Sequence, residues 1–145
     1  MSHDLFAYGT LMVREVFDRV AGGHWSALPA RIDNYAAYKV NGTHYPALVP
    51  KVGESQPGTF LTGIDTTTLL RLDAYEGQEF KRSLLPVRVF LDQNKVEDAR
   101  TAWVYLLKPG YRNRLTRERW STKRFAAEWL AEYLRDLETF ELNRV

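Results

Sequence analysis

The stretch ARIDNYAAYKVNGTHYPALVP, residues 30–50, holds two apolar runs on either side of a tight-turn signal. Asn41 and Gly42 between the runs both tolerate positive φ, as the two central residues of a type I′ hairpin turn must. Asn41, Gly42 and Thr43 also match a glycosylation sequon, but the turn is the favoured interpretation because the sequence shows no signal peptide. We therefore predict two antiparallel strands joined by a hairpin turn.

The second run of this hairpin contains two prolines, Pro46 and Pro50. Because proline cannot donate a hydrogen bond to a strand ladder, we expect this run to lie at a sheet edge or in a loop. Four further apolar runs bounded by turn residues are typical of strands, at residues 4–11, 58–64, 82–91 and 100–107. The sequence therefore predicts about six strands.

Three segments carry apolar residues at helical spacing, at residues 12–23, 66–75 and 121–140. Asp65 can cap the second helix, and Gly77 suits its C-terminal end. The third is the longest and clearest, because large apolar residues recur four apart at Phe125, Trp129, Tyr133 and Leu137. With consecutive strands in the middle of the chain, the pattern predicts a single α+β domain over residues 1–145, built on a mixed sheet that can curl into a barrel.

The composition is that of a globular protein, with 145 residues of which 45% are apolar and 26% charged. A net charge of +2 does not by itself indicate a nucleic-acid partner. Residues 108–124 hold seven basic residues and one acidic residue. We interpret this stretch as a solvated surface and expect no nucleic-acid partner, because phosphate binding needs a denser basic stripe. Nucleic-acid binding through this stretch is the weaker alternative.

The chain contains no cysteine, which excludes disulfides, thiolate zinc sites and a cysteine nucleophile. The N-terminal sequence lacks the basic region and apolar core of a signal peptide. No run approaches the roughly 20 apolar residues that cross a bilayer. We therefore expect a cytoplasmic protein that does not enter the membrane.

Several kinds of active site find no support in the sequence. His3, His24 and His44 are scattered, so we expect no metal site. None of the serines stands in the G-x-S-x-G setting of a serine hydrolase. The turn at Gly9 and Thr10 lacks the second glycine and the lysine of a phosphate loop, and we expect no bound cofactor.

The first candidate site is the turn YGTL, residues 8–11, which leads from the first strand into the first helix. Backbone N–H groups at a helix start lack intrahelical acceptors and carry partial positive charge. Such a turn can hold a carboxylate or a developing oxyanion, and Gly9 lets a ligand come close to the backbone. The alternative is a purely structural turn, since strand–glycine–helix junctions are common.

The second candidate is Glu76, which we expect at the C-terminal end of the second helix. The negative end of the helix dipole disfavours a charge there, and partial burial between Tyr75 and Phe80 acts in the same direction. Both effects raise the pKa of the carboxyl group toward the range of a general base. The alternatives are that Glu76 is a solvent-exposed turn residue, or that Glu79 beyond the glycine is the active carboxylate.

Four blocks, FAYGTLM, YPALVP, LDAYEGQEFKR and WVYLL, follow one another within residues 5–107 in an order and spacing that resembles the γ-glutamylcyclotransferase-like superfamily. The pattern is similar to its bacterial members and to the avirulence-induced-gene-like proteins of plants. The resemblance implies a small mixed β-barrel with flanking helices. It also implies an enzyme that needs no cofactor and converts a small γ-glutamyl amine or peptide to 5-oxoproline, releasing the amine by intramolecular aminolysis.

The resemblance places the general acid/base on Glu76. It also implies substrate contacts at residues of the turn and of two later strands, namely Tyr8, Gly9, Thr10, Leu11, Arg82 and Tyr105. Phe80 departs from the family pattern, because many members carry a tyrosine there and this chain lacks that hydroxyl group. The competing hypothesis is a non-catalytic module that uses the same cavity to bind a small carboxylate ligand or a protein partner.

Overall fold

A computed structural model describes residues 2–22, 25–43, 45–91 and 97–142, with residues 138–142 described by their backbone alone. The strands are β1 (Ser2–Ala7), β2 (Ala27–Val40), β3 (Pro46–Asp65), β4 (Phe80–Phe90), β5 (Glu97–Leu107) and β6 (Leu115–Arg119). The α-helices are α1 (Arg14–Ala21), α2 (Thr66–Glu76), α3 (Thr122–Glu128) and α4 (Leu130–Leu142). Two short 3₁₀ helices span Thr10–Met12 and Pro109–Arg114.

All six described strands belong to one mixed sheet, in the order β1-β3-β5-β4-β2-β6. Neighbouring strands run antiparallel except where β5 meets β1 and β3, with which it pairs in parallel. Additional pairings of β1 with β5 and of β3 with β2 draw the sheet into a partial ring. The predicted α+β class, mixed sheet and flanking helices are confirmed, although the sheet curls into a partial ring and not a true barrel.

The predicted hairpin is present, and β2 and β3 pair along most of their length. Its turn differs from the predicted type I′, because five residues separate the two strands instead of two. Gly42 has a positive φ of 77°, whereas Asn41 does not share this conformation. The Asn41 N–H donates to the carbonyl of Arg114 at 2.8 Å, which ties the turn to the second 3₁₀ helix.

The prolines do not confine the second run to an edge or a loop, and that expectation is wrong. Pro46 is the first residue of β3, a position where a strand tolerates proline. Leu48 pairs with Ala37 on one side and with Leu106 on the other, so this part of β3 lies within the sheet. The strand continues through residues 58–64, so two predicted strands form one strand of 20 residues.

The sixth strand is β6, which the sequence does not predict. Its residues LTRER lack apolar alternation, because β6 lies at the end of the strand order beside β2 and most of its side chains are exposed. Tyr38 lies opposite Arg119 in this pair, and Val40 lies opposite Leu115. The number of strands agrees with the prediction, but the segments that form them differ.

The helices form where the sequence predicts them, with one interruption. The Asp65 side chain caps α2 by accepting a backbone hydrogen bond of 2.7 Å, and Gly77 ends the helix with a φ of 86°. The predicted C-terminal helix is broken at Trp129, whose φ of −127° and ψ of −10° divide the segment into α3 and α4. Phe125 and Leu137 remain buried, as the spacing predicts.

The core lies on both faces of the sheet, because successive residues of a strand point in opposite directions. On β1, Leu5 packs into the cluster that includes the helices, and Phe6 packs into the cluster on the other face. Tyr8 belongs to the second cluster and Leu11 to the first, so the turn after β1 is fixed from both sides.

Candidate active site

A cavity of about 130 Å³ lies where the end of β1, the end of α2, β5 and α4 come together. Its lining contains six of the seven residues assigned to the site from the sequence, namely Tyr8, Gly9, Thr10, Leu11, Glu76 and Tyr105. The seventh, Arg82, lies outside the lining. Elements that are distant along the chain therefore meet at one pocket.

Glu76 is the last residue of α2 and lines this cavity. The residue is half-buried, and the surrounding protein atoms desolvate its carboxyl group. No hydrogen bond or ion pair within the described part of the chain involves this carboxyl group. Burial, followed by the negative charge of Asp73, raises the pKa of Glu76 from its ordinary value of 4.5 to about 8.

Two causes of this pKa shift differ in how far the sequence reveals them. Burial is one of the two causes that the sequence predicts, and the other, the helix dipole, stays a prediction. The charge of Asp73 is a cause that the sequence prediction leaves out, although residues three apart on a helix are neighbours. The rival carboxylate of Glu79 lies outside the cavity lining and pairs with Arg114, with 2.6 Å between Oε1 and Nη1.

The turn after β1 forms another part of the cavity wall. The carbonyl groups of Gly9 and Thr10 accept hydrogen bonds from the N–H groups three residues later, at 2.9 and 3.0 Å. The N–H groups of Gly9, Thr10 and Leu11 have no acceptor among the residues that the structure describes. Glycine is required at position 9 because an added Cβ would lie 2.6 Å from Cγ of Pro46.

Tyrosine side chains supply most of the hydroxyl groups at the cavity, at positions Tyr8, Tyr45, Tyr75, Tyr105 and Tyr133. The Tyr75 hydroxyl is hydrogen-bonded to the hydroxyl groups of Thr10, at 2.8 Å, and of Tyr133. Burial raises the pKa of Tyr75 and Tyr133, so both phenols are neutral at pH 7. The sequence does not reveal Tyr45, Tyr75 and Tyr133 as site residues, because their local patterns indicate only a loop or helix packing. Phe80 also lines the cavity, and its ring carries no hydroxyl group.

Arg82 contacts Asp73 behind the cavity wall. Its Nε and Nη2 donate to the two carboxylate oxygens of Asp73 at 2.8 and 3.1 Å. The guanidinium group lies 4.1 Å from the centroid of the Trp103 ring. The Tyr105 hydroxyl donates to the same Asp73 at 2.7 Å. The expected substrate contact of Arg82 is therefore replaced, in this structure, by a contact with a side chain one turn before Glu76.

The structure also bears on the expectations about nucleic acid, metal ions and membranes. Three arginines of the basic stretch form ion pairs, namely Arg114 with Glu79, Arg119 with Glu54 and Arg124 with Glu128. Among the described residues, which leave out His24 and His44, no three histidine or acidic side chains are grouped as a metal ion requires. Within the same ranges, no helix combines the length and the apolar character needed to cross a bilayer.

Residues 5–125 match the protein family described as γ-glutamyl cyclotransferase, AIG2-like. The chain belongs to this family. The match contains every cavity residue named above except Tyr133, which follows it on α4. The predicted membership is thus confirmed, and it covers both the turn after β1 and the end of α2.

The chain is similar to curated AIG2 proteins of Arabidopsis thaliana. The chain is 27% identical over 103 residues to Protein AIG2 C of Arabidopsis thaliana, covering 71% of this chain and 62% of that protein. The chain therefore spans about six-tenths of the length of this curated relative. A solution structure of an Arabidopsis thaliana protein is 22% identical and has a TM-score of 0.67, covering 99% of this chain and 85% of that one.

A crystal structure of a yeast γ-glutamyl cyclotransferase specific to glutathione also resembles this AIG2-like chain. It is 11% identical with a TM-score of 0.62, and the likeness covers 81% of this chain and 73% of that chain. At these identities, the likeness to the two solved structures shows the fold alone.

Proposed function

We propose that this chain is a γ-glutamylcyclotransferase-type enzyme that releases 5-oxoproline from a γ-glutamyl amine or peptide, with Glu76 as general acid and base. The observation that carries the proposal is the Glu76 carboxyl group, which lies at the cavity without a partner among the described residues and has a pKa of about 8. Membership of the family and the cyclotransferase among its structural neighbours add support.

The reaction uses the nucleophile of the substrate itself. Glu76 takes one proton from the α-ammonium group, and the free amine then attacks the γ-carbonyl carbon to close the five-membered ring. A proton returns through Glu76 to the leaving nitrogen as the γ-amide bond breaks. A carboxyl group with a pKa near 8 suits both steps, because it gains and loses a proton close to neutral pH.

The turn after β1 has a separate role in this mechanism. Its unpaired N–H groups at Gly9, Thr10 and Leu11 bind the α-carboxylate or stabilise the charge that develops on the γ-carbonyl oxygen. The confined cavity selects a folded substrate conformer in which amine and carbonyl are adjacent, which lowers the barrier by proximity. The chemistry requires no metal and no cofactor.

Replacing Glu76 tests the proposal directly. We expect wild-type protein to release 5-oxoproline from at least one member of a panel of γ-glutamyl amino acids and γ-glutamyl amines. Glu76→Gln preserves the shape of the side chain but cannot accept the proton, so turnover should fall by about 100-fold or more. The measurement is 5-oxoproline formed per unit time, quantified by chromatography.

Glu79→Gln is the matched control, because Glu79 is a nearby carboxylate outside the cavity lining. Its turnover should stay near the wild-type value. Activity that survives in Glu76→Gln and disappears in Glu79→Gln would show that the base is Glu79 and not Glu76. If no substrate reacts and small carboxylates still raise the melting temperature, the chain is a binding module and the enzymatic proposal fails.

Location and partners are part of the same proposal. We propose that the enzyme works as a single domain in the cytoplasm on a small γ-glutamyl substrate, without a nucleic-acid partner. The absence of cysteine supports a reducing compartment. The ion pairs of Arg114, Arg119 and Arg124 support the interpretation of the basic stretch as a solvated surface.

A further inference from the structure

The hydroxyl group of Tyr105 has only one proton, and the structure shows where that proton points. It is donated to Oδ1 of Asp73 at 2.7 Å. Asp73 is ion-paired with Arg82 through both carboxylate oxygens, and an ionised carboxylate accepts hydrogen bonds but donates none. Any further hydrogen bond at the Tyr105 oxygen must therefore be accepted by it. On the cavity side, Tyr105 is an acceptor.

Three contacts hold this arrangement in place. Arg82 on β4 lies directly opposite Tyr105 on β5, so both side chains reach Asp73 from adjacent strands. The guanidinium group of Arg82 is stacked over the Trp103 ring, which restricts its position. The Tyr8 hydroxyl donates to the backbone carbonyl of Tyr105 at 2.6 Å and fixes that strand against the end of β1.

Glu76 supplies a second acceptor at the same cavity. It follows Asp73 by one helical turn, and in its ionised form its charge acts on the phenol of Tyr105. The lining contains no lysine, arginine or histidine among the described residues. The unpaired backbone donors at the cavity, among the described residues, are the N–H groups of the turn after β1. Acceptors and donors thus come from different elements.

We propose that Asp73, held by Arg82, is a positioning residue that makes Tyr105 an acceptor, so that Tyr105 and Glu76 together bind the α-ammonium group of the substrate. This inference rests on the proposed function for the identity of the ligand. It adds a second acceptor for the ammonium group, on β5, and the side chains that fix the orientation of that acceptor. The ammonium group is thereby delivered to its base.

Replacing Asp73 with asparagine should weaken the arrangement that makes Tyr105 an acceptor. Arg82 Nε and the Tyr105 hydroxyl both donate to Oδ1 of Asp73, and Arg82 Nη2 donates to Oδ2. Asparagine has one acceptor oxygen and no charge, so in either orientation its amide group faces an N–H of Arg82, and the positive charge of Arg82 is left unbalanced near the ammonium group. Asp73→Asn should therefore harm ammonium binding more than Tyr105→Phe, which only removes the acceptor.

The probes are L-glutamate and glutarate, two five-carbon dicarboxylates that differ by the α-ammonium group. Isothermal titration calorimetry measures the affinity of each protein for both, and their ratio isolates the contribution of the ammonium group. We expect wild-type protein to prefer L-glutamate. Asp73→Asn should reduce this preference by roughly tenfold or more, and Tyr105→Phe should reduce it by a smaller factor.

Asp33→Asn is the matched control, because Asp33 also pairs with an arginine, Arg31 at 3.0 Å, but lies away from the cavity. Its preference should equal that of wild type. The inference is overturned if wild type shows no preference for L-glutamate, if Asp73→Asn and Tyr105→Phe both keep it, or if Asp33→Asn loses it equally. Should Asp73→Asn fail to melt cooperatively, Tyr105→Phe decides the question alone.

The 5-oxoproline assay separates this inference from the proposed function. A preference that depends on Asp73 in a protein that turns over no γ-glutamyl compound supports the polarity of the cavity and contradicts the enzymatic proposal. Turnover that depends on Glu76, with a preference for L-glutamate that is independent of Asp73 and Tyr105, supports the enzymatic proposal and contradicts the inferred role of Asp73.

Discussion

At the scale of single residues, the site depends on side chains whose local environment opposes their ordinary behaviour. Glu76 is a half-buried, desolvated acid without a partner among the described residues, and such a group costs stability unless it is protonated. Gly9 is a residue that no larger one can replace without movement. Glu76 is thus a position where the requirements of chemistry outweigh those of stability, whereas glycine at position 9 serves both.

Gly9→Ala should damage both the fold and the site. Its added Cβ would lie 2.6 Å from Cγ and 3.0 Å from Cδ of Pro46, a rigid ring that cannot rotate away. We expect a loss of about 1–3 kcal/mol in the free energy of unfolding, measured in urea. Gly110→Ala is the control, since an added Cβ there meets nothing within 4 Å. Equal stability of the two variants would contradict the packing argument.

At the scale of elements, the break at Trp129 determines what the C-terminal segment contributes. A straight helix over residues 121–140 is predicted from a regular spacing of apolar side chains, and the spacing holds no signal for the break. The break separates α3, which the family match reaches, from α4, which brings Tyr133 to the cavity. α4 therefore adds a wall to the pocket from outside the matched region.

Truncation of Tyr133 should weaken substrate binding more than it slows the chemical step. Tyr133→Ala removes a ring from the cavity wall, so we expect KM to rise by about tenfold with kcat little changed. Tyr133→Phe keeps the ring and loses only the hydroxyl bond to Tyr75, so its effect should be smaller. Steady-state kinetics on a γ-glutamyl compound from the panel that the wild-type protein turns over provides the measurement.

The control for this helix is Glu132→Ala, an exposed neighbour of Tyr133 on α4. Its kinetics should match wild type. A fall in kcat for Tyr133→Ala at unchanged KM would instead place Tyr133 in the chemical step.

At the scale of the whole molecule, the sequence predicts the fold class better than the course of individual strands. Asn41 and Gly42 identify the hairpin because turn chemistry is local. Pro46 and Pro50 mislead, because whether a proline disturbs a sheet depends on the partners that flank it, which only the tertiary fold decides. β6 is not predicted from the sequence because this strand, at the end of the sheet, carries polar side chains.

The candidate site follows the same division. Glu76 and the turn at residues 8–11 are predictable, since each combines a helix end with an unusual residue for that place. Tyr45 and Tyr133 are not, because they reach the cavity from segments whose local pattern indicates only a loop and a packed helix. Arg82 is assigned to the site from the sequence but lies outside the cavity lining, where its guanidinium group is ion-paired with Asp73.

The pKa of Glu76 should influence the stability of the entire domain. Its value is about 8 in the folded protein and near 4.5 when unfolded, so between these values the folded state binds more protons. Wild-type stability should therefore fall as pH rises from about 5 to 8, by up to about 1.4 kcal/mol per pH unit from this group. Glu76→Gln lacks this contribution and should become progressively more stable than wild type over that window.

Urea unfolding of the two proteins at pH 5, 6, 7 and 8 measures this difference. It should grow with pH and level off above about 8. A difference that stays constant across the window would show that the carboxyl group titrates normally in the folded state.

The placement of the four tryptophans has a practical consequence for anyone who studies ligand occupancy. Trp25, Trp103, Trp120 and Trp129 all lie outside the lining of the main cavity, whereas five tyrosines form part of it. Tryptophan fluorescence should accordingly change on global unfolding and change little when a small molecule binds in the cavity. Ultraviolet difference spectra of phenols, or NMR signals of ring-labelled tyrosine, are the spectroscopic reporters that this pocket provides.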